Sequence, residues 1–235
     1  MEEQARAVVR RLHDAGFLAY YAGGCVRDTL LGLTPKDFDI ATSAPPETVQ
    51  RLFPRTIAVG AHFGVICVLQ GGISFEVATF RSDEAYVDGR RPTGVTYSTP
   101  QLDAERRDFT VNGMFFDPLR GEVLDYVHGR EDLQNGLLRA IGDPAQRFRE
   151  DRLRLLRAVR FAAAFGFTVD PATWDAVRAN ASEIHVVSAE RIRGELPRIF
   201  TGRSRVRGFD LLDASGLLAQ VLPEITALKG CELPP

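Results

Sequence analysis

Cysteine and histidine are scarce, and those present are scattered. The three cysteines (Cys25, Cys67, Cys231) include no C-x-x-C, and the four histidines (His13, His62, His128, His185) show no ligand spacing. A zinc module or a disulfide framework is therefore not expected. Long apolar runs are also absent: no eighteen consecutive apolar residues occur, and the opening stretch MEEQARAVVRRLHDAG is charged and helix-patterned. Neither a membrane span nor a secretory leader is expected, which leaves the cytoplasm as the default compartment. Net charge is only −2 over 235 residues, which argues against a uniformly basic nucleic-acid binder. The charge is uneven, however. Arginines crowd the segments from Arg147 to Arg160 and from Arg191 to Arg207. Two readings stay open for them: solvated helix faces interleaved with acids, or a surface that tracks phosphates.

What is present is enough apolar residue, 45%, to fill one large core or two small ones. Periodicity predicts an amphipathic helix over 2–15 closed by Gly16, a strand in FLAYYAG, and a helix in CVRDTLLG opened by Gly23-Gly24 and closed by Gly32. DFDIAT reads as a strand, PPETVQRLF as a helix, and GVICVLQGGISFEVATF as two strands around Gly71-Gly72. The polar stretch RSDEAYVDGRRPTGVTYSTPQ reads as one long loop, a length usually kept for function. GMFFDPLRGEVLDYV reads as a second hairpin and EDLQNGLLRAIG as a short helix running into a strand. From Asp143-Pro144 to residue 222 the pattern is helical, with one helix expected to run through EDRLRLLRAVRFAAAFG. The expected fold is α+β, a mixed α/β region over 1–140 followed by helices. The final EITALKGCELPP reads as turn-type residues that close no element, as expected of a piece of a longer protein.

Four clusters carry chemistry. On a strand, Asp37 and Asp39 share one face while Phe38 and Ile40 point into the core. Two such carboxylates suit Mg²⁺, which takes one or two carboxylates plus phosphate oxygens and water. Glu76, an acid among β-formers, is a third carboxylate that would complete a site for two metal ions. Gly23 and Gly24 sit between a strand and a helix, where bare backbone can approach a phosphate, and Arg27 falls one turn into that helix. In ERRDFTVNG, Asp108 and Asn112 stand one helical turn apart and could bind ribose hydroxyls, leaving an arginine for phosphate. In REDRLRLLRAVRF, Asp151 and Arg154 stand at i and i+3. The plainer readings are a surface edge strand, an ordinary turn, a capped turn and an exposed ion pair.

The Asp151-Arg154 pair also fits a base. Asp151 would accept from an exocyclic amine and Arg154 would donate to the adjacent ring nitrogen. Cytosine and adenine offer that order of groups, whereas guanine and uracil present the reverse. One such pair could select CTP and ATP with no nucleic-acid template.

In order, GGCVRDTLLGLTPKDFDI, FEVATFR, RRDFTVNGM, EDRLRLLRAVRFA and ERIRGEL resemble the motifs of the class II tRNA nucleotidyltransferase and bacterial poly(A) polymerase family, within the polymerase β superfamily. The resemblance runs from about residue 20 to residue 200. It implies a mixed-sheet head carrying catalysis (1–140), a helical neck that reads the base (141–201), and the start of a helical body (202–235) that holds tRNA. Asp37 and Asp39 would be metal ligands for Mg²⁺, with Glu76 the third catalytic acid. Gly23, Gly24 and Arg27 would contact the triphosphate, and Arg107, Asp108 and Asn112 ribose and phosphate. Asp151 and Arg154, with Arg157 beside them, would recognise the base, while ERIRGEL would stabilise the neck. VGAHFGVICV resembles CCA-adding members more than poly(A) polymerases, and VDGRRPTGV (87–95) resembles a loop that members adding only CC lack.

The resemblance thus implies addition of C and A from CTP and ATP to the 3′ end of tRNA, with release of pyrophosphate by a two-metal mechanism. Three alternatives remain within the family: A addition, CC addition and poly(A) synthesis. A non-catalytic nucleotide- or RNA-binding module is the alternative of a different class, and nucleotide transfer to a small molecule is a further enzymatic one.

Overall fold

The computed structural model describes residues 1–60, 64–83, 95–201 and 204–230. The described residues divide into two compact units, the first ending at Gln134 and the second beginning at Asn135.

In the first unit, α1 (Glu2–Asp14) buries Ala5, Val8, Val9 and Leu12, the i, i+3, i+4, i+7 stripe of an amphipathic helix. β1 (Ala19–Ala22) is buried along its whole length, and α2 (Gly24–Leu30) follows directly after Gly23. β2 (Asp39–Thr42), α3 (Pro46–Leu52), β3 (Thr56–Gly60), β4 (Val65–Gln70) and β5 (Ile73–Thr79) come next. Gly71 and Gly72 both hold positive φ (58° and 80°), as the tight turn between β4 and β5 requires. β6 (Arg81–Asp83) and β7 (Val95–Tyr97) pair as a separate ribbon, followed by α4 (Pro100–Glu105) and a 3₁₀ turn at Thr110–Asn112. β8 (Phe115–Asp117), β9 (Glu122–Leu124) and α5 (Gly129–Gln134) complete the unit.

Among the described residues, seven strands form one sheet in the order β3-β4-β5-β2-β1-β8-β9. The sheet is mixed: β2 and β5 run parallel and the other neighbours antiparallel. Tyr20, Phe80 and Phe115 meet in its core with ring centroids 5.7–6.3 Å apart.

In the second unit, β10 (Leu137–Leu138) precedes α6 (Pro144–Glu150), α7 (Leu153–Phe165), β11 (Thr168–Val169) and α8 (Pro171–Ala179). A 3₁₀ segment at Ala181–Val186 leads to α9 (Ala189–Phe200), α10 (Arg205–Ala214), α11 (Leu217–Val221) and α12 (Pro223–Ala227). β10 and β11 form a short parallel ladder. The unit is otherwise helical, so the α+β class stands. Among the described residues no helix is long and apolar enough to cross a membrane.

Several expectations are corrected. β2 begins at Asp39, so Asp37 and Phe38 precede the strand, although Phe38 still packs inward against Tyr21 at 4.9 Å between centroids. The long loop is bracketed by β6 and β7, and α4 follows it. Its residues 84–94, including most of VDGRRPTGV, lie outside the described residues, as do 61–63 of VGAHFGVICV. The helix expected through EDRLRLL is interrupted. Asp151 is extended (φ −148°, ψ 105°) and its Oδ1 accepts from the Leu153 backbone N–H, which ends α6 and starts α7. Near the end of the chain, α12 occupies part of a stretch read as turns.

Candidate active site

The acidic cluster is set by strand register. β1 pairs with β2 so that Ala22 faces Asp39, and β2 pairs with β5 so that Ile40 faces Val77. One step back along that register, Asp39 comes level with Glu76, on the face opposite buried Phe75 and Val77. Asp37, two residues before Asp39, projects to the same side, because Phe38 and Ile40 are both buried. Glu76 is exposed, not pressed against a covered face as its apolar neighbours suggested. The sheet thus brings Asp37, Asp39 and Glu76 together on one face of the β2-β5 pair.

The field there is strongly negative. Crowding by protein, then the carboxylates of Asp37 and Glu76, push the Asp39 pKa up to about 6, with Arg107 opposing. Beneath it the Cys25 thiol donates to the Ala22 carbonyl at 3.3 Å. Burial first and Asp39 second push its pKa up to about 12, so it stays a neutral thiol. Like charges clustered around Asp39 fit a divalent cation, whose binding would relieve the repulsion. Among the described residues no group of three or more His, Cys, Asp or Glu side chains is gathered tightly enough to hold a metal ion by itself. That suits a cation sharing its shell with phosphate oxygens and water, not an all-protein cage.

Beside the acids lies a glycine-backed pair of arginines. Gly23 (φ 71°) donates its N–H to the Met114 carbonyl at 3.2 Å, anchoring the start of α2 against the turn that carries Asn112. A Cβ on Gly23 would stand 3.0 Å from Nη1 of Arg107, and one on Gly24 3.6 Å from Nη2 of Arg27. Both glycines therefore leave room for guanidinium groups. Arg27 is buried. Its Nε donates to Asp28 at 2.9 Å and its Nη1 to Oδ1 of Asn112, whose amide nitrogen donates in turn to Asp108 at 3.1 Å. Asp108 and Asn112 are thus bonded to each other, and Oδ1 of Asp108 also caps the Phe109 N–H at 2.8 Å. They are less open to ribose hydroxyls than the sequence suggested.

Arg107 is held by a residue the sequence reading missed. Asp103, on α4, is 1% exposed and pairs with Arg107 at 2.9 Å and Arg106 at 2.7 Å. Burial would raise the Asp103 carboxyl, but Arg107 and Arg106 outweigh it and hold the pKa below the usual carboxylate value. The signal was present in the chain: an acid followed by arginines at i+3 and i+4.

In the second unit, Asp151 and Arg154 are not paired. Arg191 on α9 makes a two-pronged contact to Asp151 (3.1 and 2.8 Å), joining residues 40 apart in sequence. Arg154 is buried, and its Nη1 donates to Glu150 and to the Arg147 carbonyl, each at 2.8 Å. Arg157 lies over the Phe161 ring at 5.2 Å. Arg160 pairs with buried Glu195 at 3.1 Å, so ERIRGEL ties α9 to α7 here and, through Arg191, to the α6-α7 junction.

Comparison with known proteins agrees with this architecture. Residues 19–139 match the family model of the poly A polymerase head domain, and 166–229 match that of a probable RNA- and SrmB-binding site of polymerase A. The chain is 43% identical over 218 residues to the CCA-adding enzyme of Limosilactobacillus reuteri, covering 92% of this chain and 53% of that one. It is 42% identical over 226 residues to that of Geobacillus kaustophilus, covering 96% and 55%. Among solved structures, the Bacillus stearothermophilus CCA-adding enzyme in complex with CTP superposes with a TM-score of 0.86 at 38% identity, over 93% of this chain and 53% of that one. The Thermotoga maritima CCA-adding enzyme complexed with tRNA superposes with 0.77 at 25% identity, over 97% and 53%. The chain spans about half the length of the curated relatives it matches. With its head-domain sheet, acid-flanked glycine turn and helical second unit, it belongs to the family of tRNA nucleotidyltransferases and bacterial poly(A) polymerases.

Proposed function

We propose that the chain carries the catalytic part of a cytoplasmic, Mg²⁺-dependent tRNA nucleotidyltransferase that adds C and A from CTP and ATP to the tRNA 3′ end and releases pyrophosphate. The observation that carries this reading is the acid cluster of Asp37, Asp39 and Glu76 beside two arginines set against bare glycine backbone. Bound Mg²⁺ would supply Lewis-acid activation of the attacking 3′ hydroxyl and neutralise charge on the triphosphate. Asp37 and Asp39 would hold it, and Glu76 would add to the negative field that attracts it. Arg27 and Arg107 orient the phosphates, while Gly23 and Gly24 let them approach. Asn112 and Asp108 set the position of Arg27 and border the sugar.

In the second unit, Asp151 and Arg154, with Arg157 beside them, read the base. The grip of Arg191 fixes the Asp151 carboxylate and leaves Oδ2 with further acceptor capacity for an exocyclic amine. No complementary strand is required for that choice.

The direct test offers single labelled NTPs to three tRNAs: one lacking CCA, one ending in the first C, and one ending in CC. C is expected on the first two and A on the third. A alone, CC alone or a long A tract would assign the alternative family activities, and binding without incorporation would leave a nucleotide- or RNA-binding module. Arg154→Ala should reduce discrimination of CTP and ATP against GTP and UTP by about 10- to 100-fold, the worth of one specific base contact. Unchanged selectivity in single-turnover incorporation would remove Arg154 from base reading.

A further inference from the structure

We infer that Asp103 is a positioning residue for phosphate recognition: it fixes the guanidinium of Arg107 so that its Nη1 edge is presented at the bare backbone of Gly23. The inference rests on the reading of Arg107 as a phosphate contact.

The two oxygens of Asp103 are divided between two tasks. Oδ2 accepts from Nη2 and Nε of Arg107 at 2.9 and 3.3 Å. Oδ1 accepts from Nε of Arg106 at 2.8 Å and from the Arg81 backbone N–H at 3.2 Å. The backbone contact from Arg81 anchors the carboxylate, and the carboxylate then fixes Arg107. The Phe115 ring lies 5.0 Å from the Arg107 guanidinium carbon and closes one face of the group. With two nitrogens engaged by the acid and one face covered, orientation is determined. Nη1 is the nitrogen brought to Gly23, where a Cβ would stand 3.0 Å away. Removing the acid would leave the charge of Arg107 intact but free its side chain to sample other rotamers. An oriented donor is worth more to an anion than a mobile one, because the cost of ordering it is met before binding.

Arg106 serves as the internal control. It pairs with the same carboxylate, so Arg106→Ala removes comparable ion pairing from the same helix while leaving Arg107 held. The experiment is titration calorimetry of inorganic pyrophosphate with Mg²⁺ on the whole chain, alongside thermal unfolding. Asp103→Asn is expected to weaken pyrophosphate binding about 10-fold or more, in the range seen when groups orienting ligand-binding side chains are removed. Arg107→Ala should lose at least as much, and the double variant should be no weaker than Arg107→Ala alone. Arg106→Ala should lower Tm but keep affinity within about twofold of wild type.

Unchanged affinity in Asp103→Asn, or losses that simply add in the double variant, would overturn the inference. Should Asp103→Asn fail to fold, Asp103→Glu keeps the charge and displaces the carboxylate by one methylene. It is expected to fold and still bind several-fold more weakly, and wild-type affinity there would overturn the inference equally. No pyrophosphate binding by the wild-type chain would overturn the phosphate-site reading itself, an outcome distinct from losses confined to the variants.

Discussion

Asp39→Ala is expected to abolish nucleotide incorporation, by about a thousandfold or more, while leaving the folded state as stable as wild type or more so. On the proposed reading, loss of a carboxylate that would hold the catalytic cation removes several kcal/mol of transition-state stabilisation. Stability moves the other way because Asp39 is ionised at the expense of the fold. Its pKa is raised from 3.8 to about 6 by crowding and by Asp37 and Glu76. A carboxyl with a folded pKa above its unfolded value favours the fold below about pH 4 and loses that contribution as pH rises through about 6. The wild-type chain should therefore lose stability over that window without Mg²⁺, and Asp39→Ala should not. Adding Mg²⁺ at neutral pH should raise Tm of the wild type and have a smaller effect on the variant, since a ligand stabilises in proportion to its occupancy of the native state. Retained incorporation, or an equal Mg²⁺ response in both proteins, would remove Asp39 from the metal site.

Gly129→Ala should have the largest effect on stability. A Cβ at Gly129 would stand 2.3 Å from the Thr110 carbonyl oxygen and 2.8 Å from Cγ of Met114. Both belong to the segment around the 3₁₀ turn that carries Asn112, and Asp132 on the same helix accepts from the Thr110 hydroxyl at 2.7 Å. Asp125 further pins the helix start, accepting from the backbone N–H groups of Val127, Gly129 and Arg130 at 2.9–3.1 Å. With backbone on one side and anchored backbone on the other, the methyl has nowhere to go. The expected cost is about 3 kcal/mol, the upper part of the usual range for overpacking, which for a chain of this size is a fall in Tm of about 6–12 °C. Incorporation should fall too, because displacing the turn moves Asn112 off Arg27. A Tm within a degree or two of wild type would show that this contact relaxes freely.

Much of the head was legible because its signals are local. Buried β1, the Gly71-Gly72 hairpin and the amphipathic stripe of α1 are each written within a dozen residues. β3 was missed because TIAVG is short and shows no clear alternation, and α4 because six residues, three of them polar, carry no periodicity. Asp37, Asp39 and Glu76 were found as residue types, but only sheet register makes Glu76 the neighbour of Asp39. Asp151 and Arg154 looked like partners by spacing alone. Their backbones are joined, the Arg154 N–H donating to the Asp151 carbonyl at 3.1 Å, but Arg191, 40 residues on, takes the carboxylate instead. No local pattern encodes a pairing over that distance. Asp103 lay between these cases: its i+3 and i+4 arginines were visible, while its burial depends on the strands packed around α4.

The parallel pairing of β2 with β5 also sets an order of events. Asp39 and Glu76 are 37 residues apart and become neighbours only after β5 has docked beside β2. The β4-β5 hairpin closes over two residues and can form early, whereas the parallel edge must first meet the entropy of closing a long loop. During synthesis the antiparallel β1-β2 pair, with α2 between its strands, emerges well before the strand that supplies the third carboxylate. Negative charge is therefore concentrated on one face only once β5 docks beside β2, when like-charge repulsion opposes docking. Divalent cations present at that moment would screen the closing pair, so refolding is the step at which ionic conditions should matter most to this sheet.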